Sequence, residues 1–379
     1  MLMNIVIYNI NSFGGNYEYS KYLFQAYRQN GDINKCTLLM PRNSVCDFDG
    51  VNKLLLSDLP HTNIKIIKKA YYLYRSAINP FRLFFYLKKQ PSSFIIFNDF
   101  DQITAWLWAP FFRLLKSKHT FSVILHDPDR DKFFRIKILS QSSMKVIISF
   151  MDIVFYHGFL PVKPYYDDSV KKINVPHGIY NQSEIDKLLL QDIIAEANGD
   201  KIIGVLGNIR DEKNYLVIID SLLLLENIKL LIAGKPANSG VSTDSYKRYA
   251  TEKGVASKII WRESYLTDAG FNAAIAACDI VLLYYKPTFT SQSGVLNTIA
   301  TFKKKLIISD IESSLKKSAD QFGLGAIVPY DDPPALAKAV KKLLLLQVDH
   351  FSSAWNNYIH SSSWEKHVLI ATNVFKDIK

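Results

Sequence analysis

The stretch KIIGVLGNIRDEKNYLVIIDSLLLL, residues 201–225, decides the fold. Lys201–Leu206 is a short apolar run rich in β-branched residues, which reads as a buried strand. Gly207 then allows a turn, and a helix-period stretch follows from Tyr215 to Leu225. A strand that passes through a glycine turn into a helix is the repeating unit of a parallel sheet. Such sheets bind ligands at the carboxyl ends of their strands, and Arg210 and Lys213 follow that end here. Two fixed cations at a strand edge suit a diphosphate, whose departing charge they would neutralise. The same residues also suit a plain solvated basic loop.

Working outward, the pattern repeats in both directions. Downstream, strand-like runs fall at Ile228–Ala233, Ile259–Trp261, Ile280–Tyr284 and Leu306–Ser309. Helical stretches separate them, including Tyr246–Lys253, Ala269–Ala277, Gly294–Thr301 and Pro333–Leu345. Upstream, strands are expected at Asn4–Asn9, Lys35–Met40, Phe94–Asn98, Phe121–His126, Ile153–His157 and Lys172–Val175, with helices at Tyr17–Gln29 and Pro110–Lys116. The alternation predicts an α/β chain of two Rossmann-like domains. A length of 379 residues agrees, since one hydrophobic core seldom grows that large. The pattern breaks at Pro176-His177-Gly178, which sets domains at 1–178 and 179–355. Residues 356–379 then form an amphipathic tail helix expected to pack back on the first domain.

Composition narrows the function classes. Hydrophobic residues make up 48% and charged residues 21%, which excludes a disordered chain. Cys36, Cys46 and Cys278 are too scattered for a disulfide framework or a zinc site, which fits a reducing compartment. Met1 leads straight into an apolar strand, so no secretory leader is expected. Val146–Val162, the best spanning candidate, carries Asp152 and His157 and is too short. The net charge is +11 and lies almost wholly in the first half. Residues 1–180 hold 23 Lys+Arg against 13 Asp+Glu, or +10, whereas residues 181–379 hold 23 against 22, or +1. One-sided positive charge implies an anionic partner.

Two further strand ends could touch phosphate. In YYKPTFTSQSGVLNT, residues 284–298, Ser293-Gly294-Val295 opens a helix, whose first amides favour anions. An ordinary serine N-cap would look the same. Gly14-Gly15 follows the first strand, where glycine lets backbone approach a ligand closely. It is not GxGxxG, and no acid lies at ribose spacing, so a nicotinamide site is not indicated.

Taken in order, Gly14-Gly15, Pro176-His177-Gly178, GNIRDEK (residues 207–213), CDIVLLY (residues 278–284) and SGVL (residues 293–296) resemble the GT-B glycosyltransferases close to family 4, group 1. The resemblance covers nearly the whole chain and is most specific over residues 200–310. It implies two Rossmann-like domains facing across a cleft, the C-terminal helix crossing back to the first. It also implies that Arg210 and Lys213 grip the donor diphosphate, with Ser293, Gly294 and Val295 as a second phosphate contact. Gly14 and Gly15 are placed with the same group. Ser264, Tyr265 and Leu266 stand where the family seats the nucleobase. No cofactor or metal is implied, only a nucleotide-sugar co-substrate, UDP- or GDP-linked. The chain departs from the family in two respects. Retaining members carry two glutamates flanking the helix start, and here those positions fall near Thr290 and near Asn297 or Thr298. Lys303-Lys304-Lys305 also replaces the usual Gly-Lys-Pro.

An inverting reaction would need a general base in the first domain. His126-Asp127 follows a clear strand and is the preferred pair over Asp99. Asp127 would equally serve as a turn cap. His61, His119, His157, His350, His360 and His367 read as surface or core residues. Residues 65–89, KIIKKAYYLYRSAINPFRLFFYLKK, hold seven cations, seven aromatics and no acid. That mixture suits an anionic membrane surface, or else the solvated face of an ordinary helix. Together these readings predict a metal-independent hexosyltransferase of polysaccharide biosynthesis, cytoplasmic and peripheral on the inner face of the cell membrane. Its acceptor would be a lipid-linked or cell-surface glycan. A nucleic-acid-binding protein and an inactive GT-B fold serving as a binding partner are the alternatives.

Overall fold

The computed structural model describes residues 2–378 apart from 61, 63, 182–183, 238–240 and 348, so His61 lies outside it. The chain divides into two units, residues 1–178 with 362–379, and residues 179–361.

In the first unit, β1 (Met3–Tyr8), α1 (Gly15–Gln29), β2 (Ile33–Pro41), β3 (Val51–Leu55) and α2 (Lys65–Lys88) come first. Next are β4 (Phe94–Phe97), α3 (Ala105–Phe112), β5 (Thr120–Leu125), α4 (Lys137–Ile148), β6 (Ile153–Tyr156) and β7 (Lys171–Asn174). The seven strands form one sheet in the order β3-β2-β1-β4-β5-β6-β7. Every pairing in it is parallel. Its central strands are buried apolar runs, as a sheet covered on both faces requires. The inner sides of α2, α3 and α4 pack over one face through Leu83, Leu87, Trp108, Phe112, Met144 and Ile147. Pro80 inside α2 cannot donate to the Ser76 carbonyl. The Thr104 hydroxyl donates to that carbonyl instead at 2.7 Å, tying α2 to the start of α3.

The second unit runs through α5 (Lys187–Ala197), β8 (Lys201–Leu206), α6 (Tyr215–Ser221), β9 (Ile228–Ala233), α7 (Asp244–Glu252), β10 (Ile259–Arg262) and α8 (Asp268–Ala277). It continues with β11 (Ile280–Leu283), α9 (Gly294–Ile299), β12 (Lys305–Ser309), α10 (Ser314–Phe322), β13 (Gly325–Val328), α11 (Pro333–Leu344) and α12 (Ser352–Ser361). Six parallel strands stand in the order β10-β9-β8-β11-β12-β13. The order reverses between β8 and β11, the point at which an open α/β sheet leaves a crevice for ligands. In the first sheet the reversal lies between β1 and β4.

The last helix, α13 (Trp364–Ile378), belongs to the first unit. It packs on α1, stacks Phe375 on Phe94 at 4.3 Å, and pairs Lys376 with Asp32 at 2.7 Å. The chain crosses back between Ser361 and Ser362, later than residue 355, so α12 stays with the second unit.

The structure departs from the sequence reading in two respects. The helix expected from Pro110 starts at Ala105 and ends at Phe112, with a 3-10 turn at Arg113–Leu115. Its sequence AWLWAPFF is apolar all round, so its amphipathic period does not show. The strands β3 and β13 were not expected. The three lysines also have separate structural tasks. Lys303 takes the left-handed backbone, φ 49°, that suits glycine. Lys304 Nζ donates to the carbonyls of Ala276 and Cys278, and Lys305 Nζ to that of Leu346.

Candidate functional site

The segment after β8 is held by its own chain. Gly207 sits at φ 85°, and an added Cβ would approach Val295 Cγ2 to 3.1 Å and Lys213 Nζ to 3.5 Å. The turn from β8 and the start of α9 are therefore in contact. Lys213 ends a short 3-10 turn, Asp211–Lys213, and is buried. Its Nζ donates to the Leu206 carbonyl at 2.5 Å and the Gly207 carbonyl at 3.0 Å. Burial, and then the Arg210 guanidinium beside it, bring its pKa down to about 7. A lysine in this state is poised to gain a proton when an anion arrives.

Arg210 is exposed, and its charge acts on both Lys213 and Tyr285. Tyr285 follows β11 and stacks on Phe289 at 3.9 Å. Its hydroxyl meets Ser293 Oγ at 3.2 Å. Ser293 holds the N-cap position of α9, but its side chain makes no cap bond and faces Tyr285 instead, unlike an ordinary serine cap. The loops after β8 and β11 are tied twice. The Lys286 amide donates to the Glu212 carbonyl at 2.8 Å, and Lys286 Nζ pairs with Asp211 at 2.8 Å. Arg210, Lys213, Ser293 and Val295 thus lie around one point of the second sheet, where its strand order reverses. Gly294 opens α9 beside them.

Ser264, Tyr265 and Leu266 follow β10, two strands away in the same sheet. Leu266 packs into the core, while the Tyr265 ring is exposed with Lys235 Nζ 5.1 Å from its centroid. Gly14 and Gly15 start α1 in the first unit, Gly14 at φ 85° with open space where a Cβ would be. The grouping of Arg210, Lys213, Ser293 and Val295 is that of the second unit alone.

At the positions of the family's glutamates, Asn297 is buried and accepts the Tyr358 hydroxyl, whereas Thr298 bonds back to the Gly294 carbonyl at 3.1 Å. Neither offers a carboxylate. Among the described residues no group of three or more His, Cys, Asp or Glu could hold a metal ion.

In the first unit, His126 Nε2 lies 3.0 Å from Asn98 Oδ1. The Asn98 amide nitrogen donates to the Asn16 carbonyl at 2.8 Å and to Asn9 Oδ1 at 3.1 Å, so Oδ1 faces the histidine. His126 Nε2 therefore carries the proton. Burial and three neighbouring histidines hold its pKa well below the ordinary value, and the ring is neutral. Asp127 is exposed next to it. Sequence reading missed the group that adjoins this pair. Asp99 Oδ2 accepts from Asn11 Nδ2 at 2.5 Å and Asn16 Nδ2 at 2.9 Å, where the first sheet reverses order. A surplus of asparagines just after β1 and β4 was the available signal.

Two of the remaining histidines, His157 and His367, are core residues, but the sequence did not show that they gather. His157, His177 and His367 gather with His126 around the buried Tyr19 ring, at centroid distances from 4.5 to 6.0 Å. His157 Nε2 and His367 Nε2 are buried with no hydrogen-bond partner. His367 Nδ1 meets the Pro176 carbonyl at 2.9 Å, and the Trp364 indole covers Gly178.

A family model described as glycosyl transferases group 1 matches residues 200–345. Solved structures align over the full length. A sucrose-phosphate synthase from Thermosynechococcus elongatus superposes with a TM-score of 0.71 at 14% identity, over 99% of both chains. HepE from Anabaena, solved with UDP-glucose, gives 0.70 at 11% identity, over 99% of this chain and 100% of that one. A trehalose-phosphate synthase from Burkholderia xenovorans, solved with glucose-6-phosphate, gives 0.69 at 11% identity, over 99% of both. The fold is GT-B, and residues 200–345 of its second unit are similar to the group 1 glycosyl transferases. No curated protein sequence matches the chain. Within this GT-B chain the matched segment begins at Asp200 and contains Arg210, Lys213, Tyr265, Ser293 and Val295.

Proposed function

We propose that the protein is a glycosyltransferase that moves a sugar from a UDP- or GDP-sugar to a lipid-linked or cell-surface glycan. The observation that carries this reading is the meeting of Lys213, Arg210 and the Ser293–Val295 turn at the reversal of the second sheet. The donor diphosphate would take the Arg210 guanidinium and the Lys213 ammonium. Burial makes the Lys213 charge count for more against a phosphate than it would in water. Tyr265 would offer its exposed ring to the base, with Ser264 and Leu266 flanking it. HepE, a protein of the same fold, was solved with UDP-glucose, which favours a nucleotide-sugar here.

The first unit would hold the acceptor, and Gly14 and Gly15 would be its own candidate diphosphate contacts. His126 is fixed as a neutral donor to Asn98, so Asp127 is the member of the pair left to take the acceptor proton. The chemistry would be metal-independent hexosyl transfer in polysaccharide synthesis. It would take place on the inner face of the cell membrane, with residues 65–89 against the anionic surface and no role for nucleic acid. No helix among the described residues is long and apolar enough to cross a membrane, so attachment would be peripheral. The missing acidic pair favours one other reading, a GT-B fold that binds a nucleotide-sugar without turning it over.

The test is a thermal-shift screen against UDP, GDP and their sugars, followed by turnover with each donor that binds. A ligand bound only by the native state raises its melting temperature. A shift with turnover supports the transferase, a shift without turnover supports the inactive fold, and no shift with any donor overturns both.

A further inference from the structure

The outer surface of the first unit's α2–α3–α4 layer has a composition that neither the sheet nor the nucleotide reading explains. α3 packs between α2 and α4, with Phe81 against Phe111 at 5.3 Å on one side and Trp106 Nε1 on Ser142 Oγ at 3.1 Å on the other. None of the three helices contains an Asp or a Glu. The sequence holds no acid from Leu59 to Asn98, from Gln102 to His126, or from Lys132 to Met151. The outward side chains are large and apolar. Ile66 is 79% exposed, Leu107 54%, Leu114 70% and Ile138 75%. Phe133 and Ile136, in the segment leading into α4, are exposed as well. Exposed cations stand among them. No ion pair joins Lys65, Lys69, Lys132 or Arg135 to a carboxylate among the described residues.

We propose that this three-helix layer, rather than α2 alone, is the face by which the protein lies on an anionic bilayer. Residues 64–74, 106–114 and 132–139 would enter the headgroup region. The proposal deepens the membrane-surface part of the function above and rests on it for nothing but the choice of site. Scattered exposed apolar residues are ordinary, but exposed apolar side chains on each of three helices packed side by side suit an interaction surface. A polyanion such as DNA would neutralise the cations and leave Ile66, Leu107, Leu114 and Ile138 in water. A bilayer interface takes both kinds of side chain, the cations by lipid charge and the apolar residues in the acyl boundary. The absence of acids matters equally, because one carboxylate in this face would repel the surface that its neighbours attract.

Flotation of the full chain with vesicles tests this. Phosphatidylserine-containing vesicles should bind it at low salt, with binding weakened at high salt, and phosphatidylcholine vesicles should bind it at least tenfold less well. The variants Lys65→Glu/Lys69→Glu, Leu107→Ser/Leu114→Ser and Arg135→Glu/Ile138→Ser change one helix region each. Each pair should weaken vesicle binding tenfold or more while leaving melting temperature and nucleoside-diphosphate binding unchanged. Loss only in the α2 variant overturns the three-helix face and leaves docking through residues 65–89 standing. Equal binding to both vesicle types, or retention on DNA without vesicle binding, overturns the membrane site altogether. Nucleotide binding, read on the same samples, reports separately on the transferase reading.

Discussion

Lys213 should make nucleoside-diphosphate binding depend on pH in a specific direction. Burial and Arg210 hold its pKa at about 7 in the empty site. A diphosphate beside it favours the charged form, so its pKa rises in the complex and binding takes up a proton. At pH 7 about half of the free lysines are neutral, so complex formation should consume about half a proton. At pH 8.5 only about 3% are charged before binding, and the dissociation constant should be about 15-fold larger than at pH 7, a loss of about 1.6 kcal/mol. The nucleotide's own terminal phosphate titrates near pH 6, below this window. Calorimetry with UDP and GDP, in buffers of different ionisation enthalpy, reads both the affinity and the proton count. In Lys213→Met the affinity should be weak and flat over the same range. That variant should also lose about 1–3 kcal/mol of stability, because the Leu206 and Gly207 carbonyls lose their donor. A wild-type affinity that does not change between pH 7 and 8.5, with no proton uptake, would refute the assignment of Lys213 to the phosphate.

Four other outcomes follow from the structure. Arg210→Ala should weaken the same ligands about 10- to 100-fold, the worth of about 1.5–3 kcal/mol for a charge-assisted contact, and leave the melting temperature unchanged because the side chain is exposed. Asp127→Asn should cut turnover by about 100-fold or more while nucleotide affinity stays constant, since general-base catalysis contributes about that much; rates near the wild-type value would move the base, with Asp99 the next residue to change. His157 and His367 have pKa values lowered by burial to about 4 and about 3. Both folded values lie below the unfolded one, so stability is complete above about pH 6.5 and falls as the pH drops towards 4. At pH 4.5 the pair should cost about 5 kcal/mol, a large share of a domain's stability. Urea melts across that range should show a shallower slope for His157→Phe, and an unchanged slope would contradict the burial of these rings. Gly178→Ala places a Cβ 2.1 Å from Trp364 Cδ2, and should cost about 2 kcal/mol or more in a denaturation curve.

Much of the fold could be read from the chain because parallel strands buried on both faces appear as unbroken apolar runs. FIIF in β4 and IVLL in β11 are such runs. The strands that escaped are different. VNKLL in β3 is half-polar at a sheet edge, and GAIV in β13 is short and only partly buried. The nearness of Arg210 to Lys213 was legible because they stand three positions apart. Their meeting with Val295 came only from the resemblance, since it depends on β11 lying beside β8, a neighbour relation that no local period encodes. The asparagine group escaped for the same reason. Asn11 and Asn16 reach Asp99 across more than eighty residues. The histidine cluster escaped because each ring, taken alone, looks like a core or surface residue. Only the fold brings the ends of β5, β6 and β7 together with α13 around Tyr19.

A crystal soaked with UDP or GDP tests the central claim most directly. The account predicts diphosphate density within hydrogen-bond reach of Arg210, Lys213 and the amides of Ser293–Val295, at the reversal of the second sheet. Diphosphate bound elsewhere on the chain, with Lys213 still turned to the Leu206 and Gly207 carbonyls and Arg210 in solvent, would contradict it.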